Sequence, residues 1–464
     1  MLPKLILLVS LGLFWWLIRR DIRQREGLSP AIWIPTLWVG IIASRNLSAW
    51  VGFGGAADTL DGSPVDRLFF LVMIVAAGIV LQRRGILWSS VFRNGWPVFL
   101  FYGFLLISVL WANSPFSSFK RWFKEFGNIL VLLVILTEAH PLLACRAVFA
   151  RCAYVLIPLS VVFIRYFPDL GRRYSEHSGE LEPIGVTFQK NSLGVMVLTC
   201  AFVMLWDWFE LQSNRHFKIK SERRTDNILH LVVLLMGIYL LYLCDSKTSI
   251  VCMALGGCIL LATRSPLFRS RLSMIGGCTL AALVGFFVLD QLFGFKEAVV
   301  HALGRDMTFT GRTDVWRELL GVHTDPILGT GFMSFWDDKG YRSMLPEWVA
   351  FSAHNGYLDV YLAGGFVGVF FLALMVLATG LRINSALAWG EDYSVVRFAI
   401  FVVALIANFS ESNFACMTPV GFLFLLAAIG YADTAASGQT VSEPVLGDRR
   451  AGESNLETGA SVVF

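Results

Sequence analysis

An all-α, polytopic membrane protein is the fold class this sequence predicts, and three observations predict it. Hydrophobic residues make up 56% of the 464 positions and charged residues only 16%, with a mean hydropathy of +0.64; soluble domains are far less apolar. Apolar runs close to the roughly 20 residues needed to cross a bilayer recur along the chain. Arginine and lysine gather in alternate short loops between those runs, as the positive-inside rule requires.

In chain order the spans fall near 2–18, 28–44, 67–82, 95–112, 124–138, 147–165, 186–208, 227–244, 249–263, 272–292, 356–380, 395–411 and 416–431, about thirteen helices. The first, LILLVSLGLFWWLI, lacks a basic leader and a small-residue cleavage site and is followed by Arg19 and Arg20. It reads as a retained span with its N-terminus outside. The loops with Arg19, Arg20, Arg23 and Arg25, with Arg83 and Arg84, with Arg215, Lys218, Lys220, Arg223 and Arg224, and with Arg264, Arg269 and Arg271 are assigned to the cytoplasm. The other face receives 45–66, 113–123, 166–185, the turn 245–248, the long segment 293–355 and the turn near 412–415. The expected organisation is transmembrane helices over 1–292, a long periplasmic loop over 293–355, further transmembrane helices over 356–432 and a Gly/Ser/Glu-rich, disordered cytoplasmic tail over 433–464. The eight cysteines, Cys145, Cys152, Cys200, Cys244, Cys252, Cys258, Cys278 and Cys416, show no CxxC spacing and read as packing residues.

The outer face should be poor in basic residues, yet it carries Lys120, Arg121, Lys124, Arg165, Arg172, Arg173, Lys190, Lys247, Arg305, Arg312, Arg317 and Arg342. Snorkelling to lipid phosphates accounts for some of them; a cluster on the wrong side points to an anionic ligand. Four motifs fall on this face. CDSKTS (244–249) holds Lys247 at the membrane surface between two helix ends. FQKNSLG (188–194) places Lys190 and Asn191 in the first turn of a span, where free N–H groups favour anions. TFTGRTDVWRELLG (308–321) reads as a turn at Gly311, an N-cap at Thr313 and a short amphipathic helix closed by Gly321. Arg312 then stands just before a helix N-terminus, suited to clamp a pyrophosphate, with a salt bridge to Asp314 or Glu318 as the structural alternative. PILGTGF (326–332) follows, with glycines that permit close backbone approach.

The fourth motif is FSAHNGYLDVYLAGG (351–365). Taken as helical from 353, it sets His354, Leu358 and Tyr361 on one face, Asn355 and Asp359 on a neighbouring one, and Gly364 and Gly368 as a close-packing pair. Histidine at the lip of the membrane suits a general base for a hydroxyl nucleophile. Asp337 with Asp338, or Asp306 with Asp314, are read as solvated carboxylates, and no His/Glu spacing completes a metal site.

GVTFQKNSLG, CDSKTS, GRTDVW, PILGTGF and AHNGYLDVYLAGG, in this order over about 180 residues, resemble the bacterial O-antigen ligase and polysaccharide polymerase superfamily. Its exopolysaccharide polymerase branch, of the succinoglycan-polymerase type, is nearest in pattern. The resemblance implies a GT-C-type, lipid-linked-sugar glycosyltransferase of the bacterial inner membrane that needs no metal or other cofactor and works at the periplasmic face. The donor would be a glycan on undecaprenyl pyrophosphate. By motif match Arg312 and Lys247, with Lys190, bind the pyrophosphate, and His354 activates the acceptor hydroxyl for inverting attack, supported by Asn355 and Asp359. Ligases often carry arginine where this chain has Lys247, which keeps the charge and loses the bidentate fork. The implied partners are membrane lipids, a flippase and a chain-length regulator, and no nucleic acid. Two alternatives stand beside polymerisation: ligation of glycan to lipid A-core, and, from another class, transport of the lipid-linked oligosaccharide. A transporter should show repeats and ionisable residues near the bilayer midplane, whereas here they gather at one surface.

Overall fold

The computed structural model describes residues 2–52, 62–174, 179–213, 220–265, 271, 274, 277, 312–346, 349, 352–389 and 393–429. Its helices are α1 (Leu2–Gln24), α2 (Trp33–Ile42), α3 (Leu47–Trp50), α4 (Pro64–Arg83), α5 (Trp88–Ser108), α6 (Pro115–Leu136), α7 (Pro141–Tyr166), α8 (Pro168–Gly171), α9 (Lys190–Ser213), α10 (Lys220–Cys244), α11 (Lys247–Ala262), α12 (Arg312–Gly321), α13 (Lys339–Ser343), α14 (Gly356–Trp389), α15 (Ser394–Ser410) and α16 (Pro419–Ile429). A small antiparallel hairpin pairs β1 (Arg172–Tyr174) with β2 (Leu181–Pro183). The protein is all-α and polytopic. Seven described helices are long and apolar enough to cross a membrane, and shorter apolar helices accompany them. Twelve of the thirteen expected spans coincide with helices. All of the expected span 272–292 but residues 274 and 277, together with Arg305, Gly311 and the tail from 433, lies outside the described residues.

Local chemistry explains the helix starts. Proline, whose missing N–H costs nothing at a first turn, opens α4, α6 and α7. Ser63 and Asp66 cap each other's backbone at the start of α4. Helix α7 lies inside the bundle, 83% of its apolar window buried, whereas α1 is only 11% buried and faces the bilayer. The end away from the long loop is closed by ion pairs. Arg25 bridges Asp21 (2.6 Å) and Asp207 (2.5 Å), Arg151 meets Asp21 (2.8 Å), Arg20 meets Asp226 (3.0 Å), and Arg84 meets Glu138. Burying so many charges is tolerable only because each has an opposite partner.

At the other end the long loop is built into the membrane helices. Helix α14 breaks at Gly365 (φ 56°, ψ −155°), and the PILGTGF backbone enters the break. The Phe366 N–H donates to Pro326 O (2.8 Å) and Val367 N–H to Ile327 O (3.1 Å), while Thr330 and Gly331 N–H donate to Leu362 O (3.0 Å) and Ala363 O (2.9 Å). A break inside a long apolar helix is stable only when its freed backbone groups are satisfied in this way. A Cβ on Gly329 (φ +66°) would stand 2.5 Å from Gly364 N, so the expected close approach is real and leaves room for glycine only. Gly364 and Gly368 pack on Phe104 of α5. Leu319, Val322, Phe335, Trp336, Leu345, Val349, Ala353 and Leu362 form a separate small core that fixes the loop above α14.

Candidate active site at the loop end of the bundle

The docked loop brings α12 against the C-terminus of α15. Arg312 donates to Ser410 O and, at 2.9 Å, to Glu411 Oε1. The other carboxylate oxygen, Glu411 Oε2, lies 3.3 Å from His354 Nδ1. One carboxylate therefore joins the two residues singled out from separate motifs. A carboxylate facing Nδ1 favours the tautomer with the proton there, which leaves Nε2 of the neutral ring as an acceptor. Burial alone would push the Glu411 carboxyl up, but the His354 and Arg312 contacts outweigh it and hold it below the ordinary glutamate value. The three side chains keep 28% (His354), 22% (Glu411) and 18% (Arg312) of their surface, so the ring and the guanidinium remain approachable.

The structure corrects the helix expected from 353. Helix α14 begins at Gly356, and Asn355 is its N-cap: Oδ1 accepts from Tyr357 N (3.0 Å) and Leu358 N (3.2 Å). His354 precedes the cap in the left-handed region (φ 47°), so it does not share a helix face with Leu358 and Tyr361. Such a conformation costs a non-glycine residue on the order of 1–3 kcal/mol and persists where its surroundings impose it. Here the His354 N–H donates to Ser352 Oγ (3.1 Å), and Trp316 of α12 donates to Ala353 O (2.8 Å). Asp359 does not hydrogen-bond the histidine ring. It accepts from Trp336 Nε1 (3.0 Å), Ala353 N (3.4 Å) and Ser412 Oγ. Those bonds tie the chain before His354 to the chain after Glu411, so Asp359 sets the spacing of that pair.

Arg312 is the first residue of α12 rather than the residue before it, and Gly321 ends the helix as expected. Its ion pair is with Glu411; Asp314 pairs instead with Arg317 (2.9 Å). Lys247 opens α11 and Lys190 opens α9. A Cβ on Gly194 would reach 2.6 Å from Ser246 Cβ, which shows how closely the two helix starts pack. Ser410 Oγ donates to Thr248 Oγ1 (2.8 Å), joining the CDSKTS turn to the strand of contacts through Arg312. Lys247 rests on Asp245, and Lys190 on Glu182 (2.5 Å). Both lysines are exposed, at 55% and 42%. Such pairs are worth roughly 0–1 kcal/mol, so a phosphate can displace the acid at small cost.

Like Asp314, two more of the acids weighed as metal ligands have other partners. Asp337 meets Arg121 (3.2 Å), and Asp338 caps α13 through Gly340 N (2.5 Å) and Tyr341 N (3.0 Å). Glu411 was not anticipated. Its signal in the sequence is an acid within SES at the end of an apolar run, the same kind of misplaced charge that marked His354.

Fold and motif order define a multi-pass membrane protein that resembles the O-antigen ligase and polysaccharide polymerase-like superfamily. The family model described as O-antigen ligase matches residues 231–373, a stretch that holds Lys247, Arg312, His354, Asn355 and Asp359 and leaves out Lys190 and Glu411. Among curated relatives the chain is similar to the exopolysaccharide production protein ExoQ of Rhizobium meliloti (strain 1021). The two are 22% identical over 355 residues, covering 72% of this chain and 76% of the relative. No solved structure matches the chain significantly.

Proposed function

We propose that this protein is a polysaccharide polymerase that joins undecaprenyl-pyrophosphate-linked repeat units during exopolysaccharide synthesis in a bacterial inner membrane, with its loop end in the periplasm. The observation that carries the reading is the His354–Glu411–Arg312 bridge, which sets a proton acceptor beside a phosphate-binding cation at one membrane surface. The acceptor hydroxyl gives its proton to His354 Nε2 while its oxygen forms a bond to the anomeric carbon. The bond from that carbon to the pyrophosphate breaks with inversion, and the leaving oxygen keeps the electron pair. Arg312, Lys247 and Lys190 offset the negative charge of the polyprenyl pyrophosphate as it departs, a task that fixed cations perform without a metal. Glu411 keeps the histidine in the required tautomer and rotamer. Asn355 and Asp359 hold the turn on which it stands.

The name of the relative favours exopolysaccharide synthesis over ligation to lipid A-core. The His354–Glu411–Arg312 bridge and the exposed Lys190 and Lys247 favour chemistry at the loop end over transport. A deletion strain tests the reading through the mass spectrum of its lipid-linked glycans. A polymerase defect accumulates single repeat units on the lipid. Accumulation of long lipid-linked chains points to ligation and contradicts polymerisation, and repeat units trapped on the cytoplasmic leaflet point to transport.

A further inference from the structure

Ser410, the last residue of α15, takes no part in the chemistry proposed above, yet it bonds to two of the cation motifs. Its carbonyl accepts from the Arg312 guanidinium, and its hydroxyl donates to Oγ1 of Thr248, the residue after Lys247 (2.8 Å). The Ala407 carbonyl, 3.4 Å away, is the weaker acceptor for that hydroxyl. The next residue, Glu411, carries the contacts on to His354.

Packing further along the helices, and not this bond, docks α11 on α15. A Cβ on Gly256 of α11 would stand 2.9 Å from Val403 Cγ2 of α15, and Cys252 Sγ lies 3.8 Å from Val403 O. On the other flank Gly194 of α9 packs on Ser246, whose Oγ donates to Ser249 Oγ (3.0 Å). These contacts place α11 as a body. The Ser410–Thr248 bond acts at its first turn, where Lys247 is 55% exposed and rests on Asp245, two residues back. That ion pair travels with the turn and does nothing to fix Lys247 against Arg312.

We propose that Ser410 is a positioning residue for the donor pyrophosphate: it holds the Lys247 turn and Arg312 at one spacing, so that both cations engage the same ligand. The inference rests on the pyrophosphate role given to those two cations above. Cations held at a fixed spacing lose little freedom when the ligand arrives, whereas a lysine on a turn free to shift must be ordered by the ligand itself. The Ser410 hydroxyl bonds to neither cation, so its effect on the donor runs through the turn that carries Lys247.

Titration of the purified full chain with undecaprenyl pyrophosphate, read by native mass spectrometry, tests this. Ser410→Ala and Thr248→Val, which remove the bond from opposite sides, should each weaken binding about fivefold. Ser410→Thr keeps the hydroxyl and should bind within about twofold of wild type. The decisive comparison is a double-mutant cycle: in a Lys247→Ala background Ser410→Ala should cost no further affinity, because the serine acts through the lysine. In elongation assays Ser410→Ala should raise the donor KM and leave kcat within about twofold. Wild-type affinity in both Ser410→Ala and Thr248→Val, or losses that add in the Lys247→Ala background, overturns the proposal and leaves the pyrophosphate reading standing. Wild-type protein that does not bind undecaprenyl pyrophosphate overturns both.

Discussion

Replacing Glu411 by glutamine keeps the size of the side chain and removes its charge. In the wild type one oxygen serves Arg312 at 2.9 Å and the other faces His354 at 3.3 Å. Glutamine has a single acceptor oxygen, so whichever partner it keeps, its NH2 group confronts the donor of the other. A buried donor left without an acceptor costs about 1–3 kcal/mol. With 18–28% of these side chains still exposed, the lower half of that range applies here. The catalytic loss should be larger than the structural one. A positioned general base contributes on the order of 10²–10⁴-fold, and losing a factor of 100 raises the barrier by about 2.7 kcal/mol. We therefore predict that Glu411→Gln inserts and remains folded but elongates lipid-linked glycan at least about 100-fold more slowly. Gel-resolved time courses on purified protein read this directly. A variant that elongates within twofold of wild type would refute the bridge as catalytic machinery.

Four further outcomes follow from the same contacts. Glu411 titrates below its ordinary value in the fold, so its stabilisation is complete above the unfolded carboxylate's value of about 4.3 and fades as pH falls through the lower folded value. The fluorescence difference between wild type and Trp316→Phe, which reports docking of α12, should hold steady from neutral pH to 5 and collapse only below about 4; collapse near pH 6 would contradict it. Gly329→Ala sets a Cβ against the α14 backbone at a positive φ and should destabilise the docked PILGTGF segment by about 3 kcal/mol or more, seen as faster proteolysis of the loop. Asn408 Oδ1 accepts from Asn413 N (2.9 Å) and Phe414 N (3.0 Å) in the buried turn that leads away from Glu411; Asn408→Ala should lower stability by about 2–4 kcal/mol, and an unchanged thermal midpoint would show the turn to be held otherwise. Lys247→Ala should raise the donor KM about tenfold while Lys247→Arg retains activity; equal activity of the alanine and arginine variants would remove Lys247 from the pyrophosphate site.

Much of the fold was legible because a membrane span announces itself in one dimension: length and apolarity suffice, and helices from Leu2–Gln24 to Pro419–Ile429 lie where the runs predicted. The short turns were equally readable. Cys244 and Lys247 flank the expected tight turn, whose Asp245 takes a positive φ (46°). The break in α14 was hidden, because it exists only through hydrogen bonds to a segment about 35 residues earlier. At the candidate site, His354 and Arg312 stood out as charges at a membrane lip. Glu411 carries the same mark, but its meaning lies in partners 57 and 99 residues away, a separation at which no spacing rule operates. The span expected from 356 starts where α14 does, but the face assignment took the helix from 353, three residues too early, for a local reason: an asparagine cap and a left-handed histidine delay the helix, and hydrophobic periodicity is blind to both.

The most direct measurement is reconstitution of the purified protein in liposomes with a defined lipid-pyrophosphate-linked repeat unit and a chelator. The account predicts progressively longer lipid-linked glycan and release of polyprenyl pyrophosphate, both abolished in His354→Ala and Arg312→Ala protein that still inserts. Unimpaired elongation by both variants, or movement of the substrate across the bilayer with no change in glycan length, would contradict it.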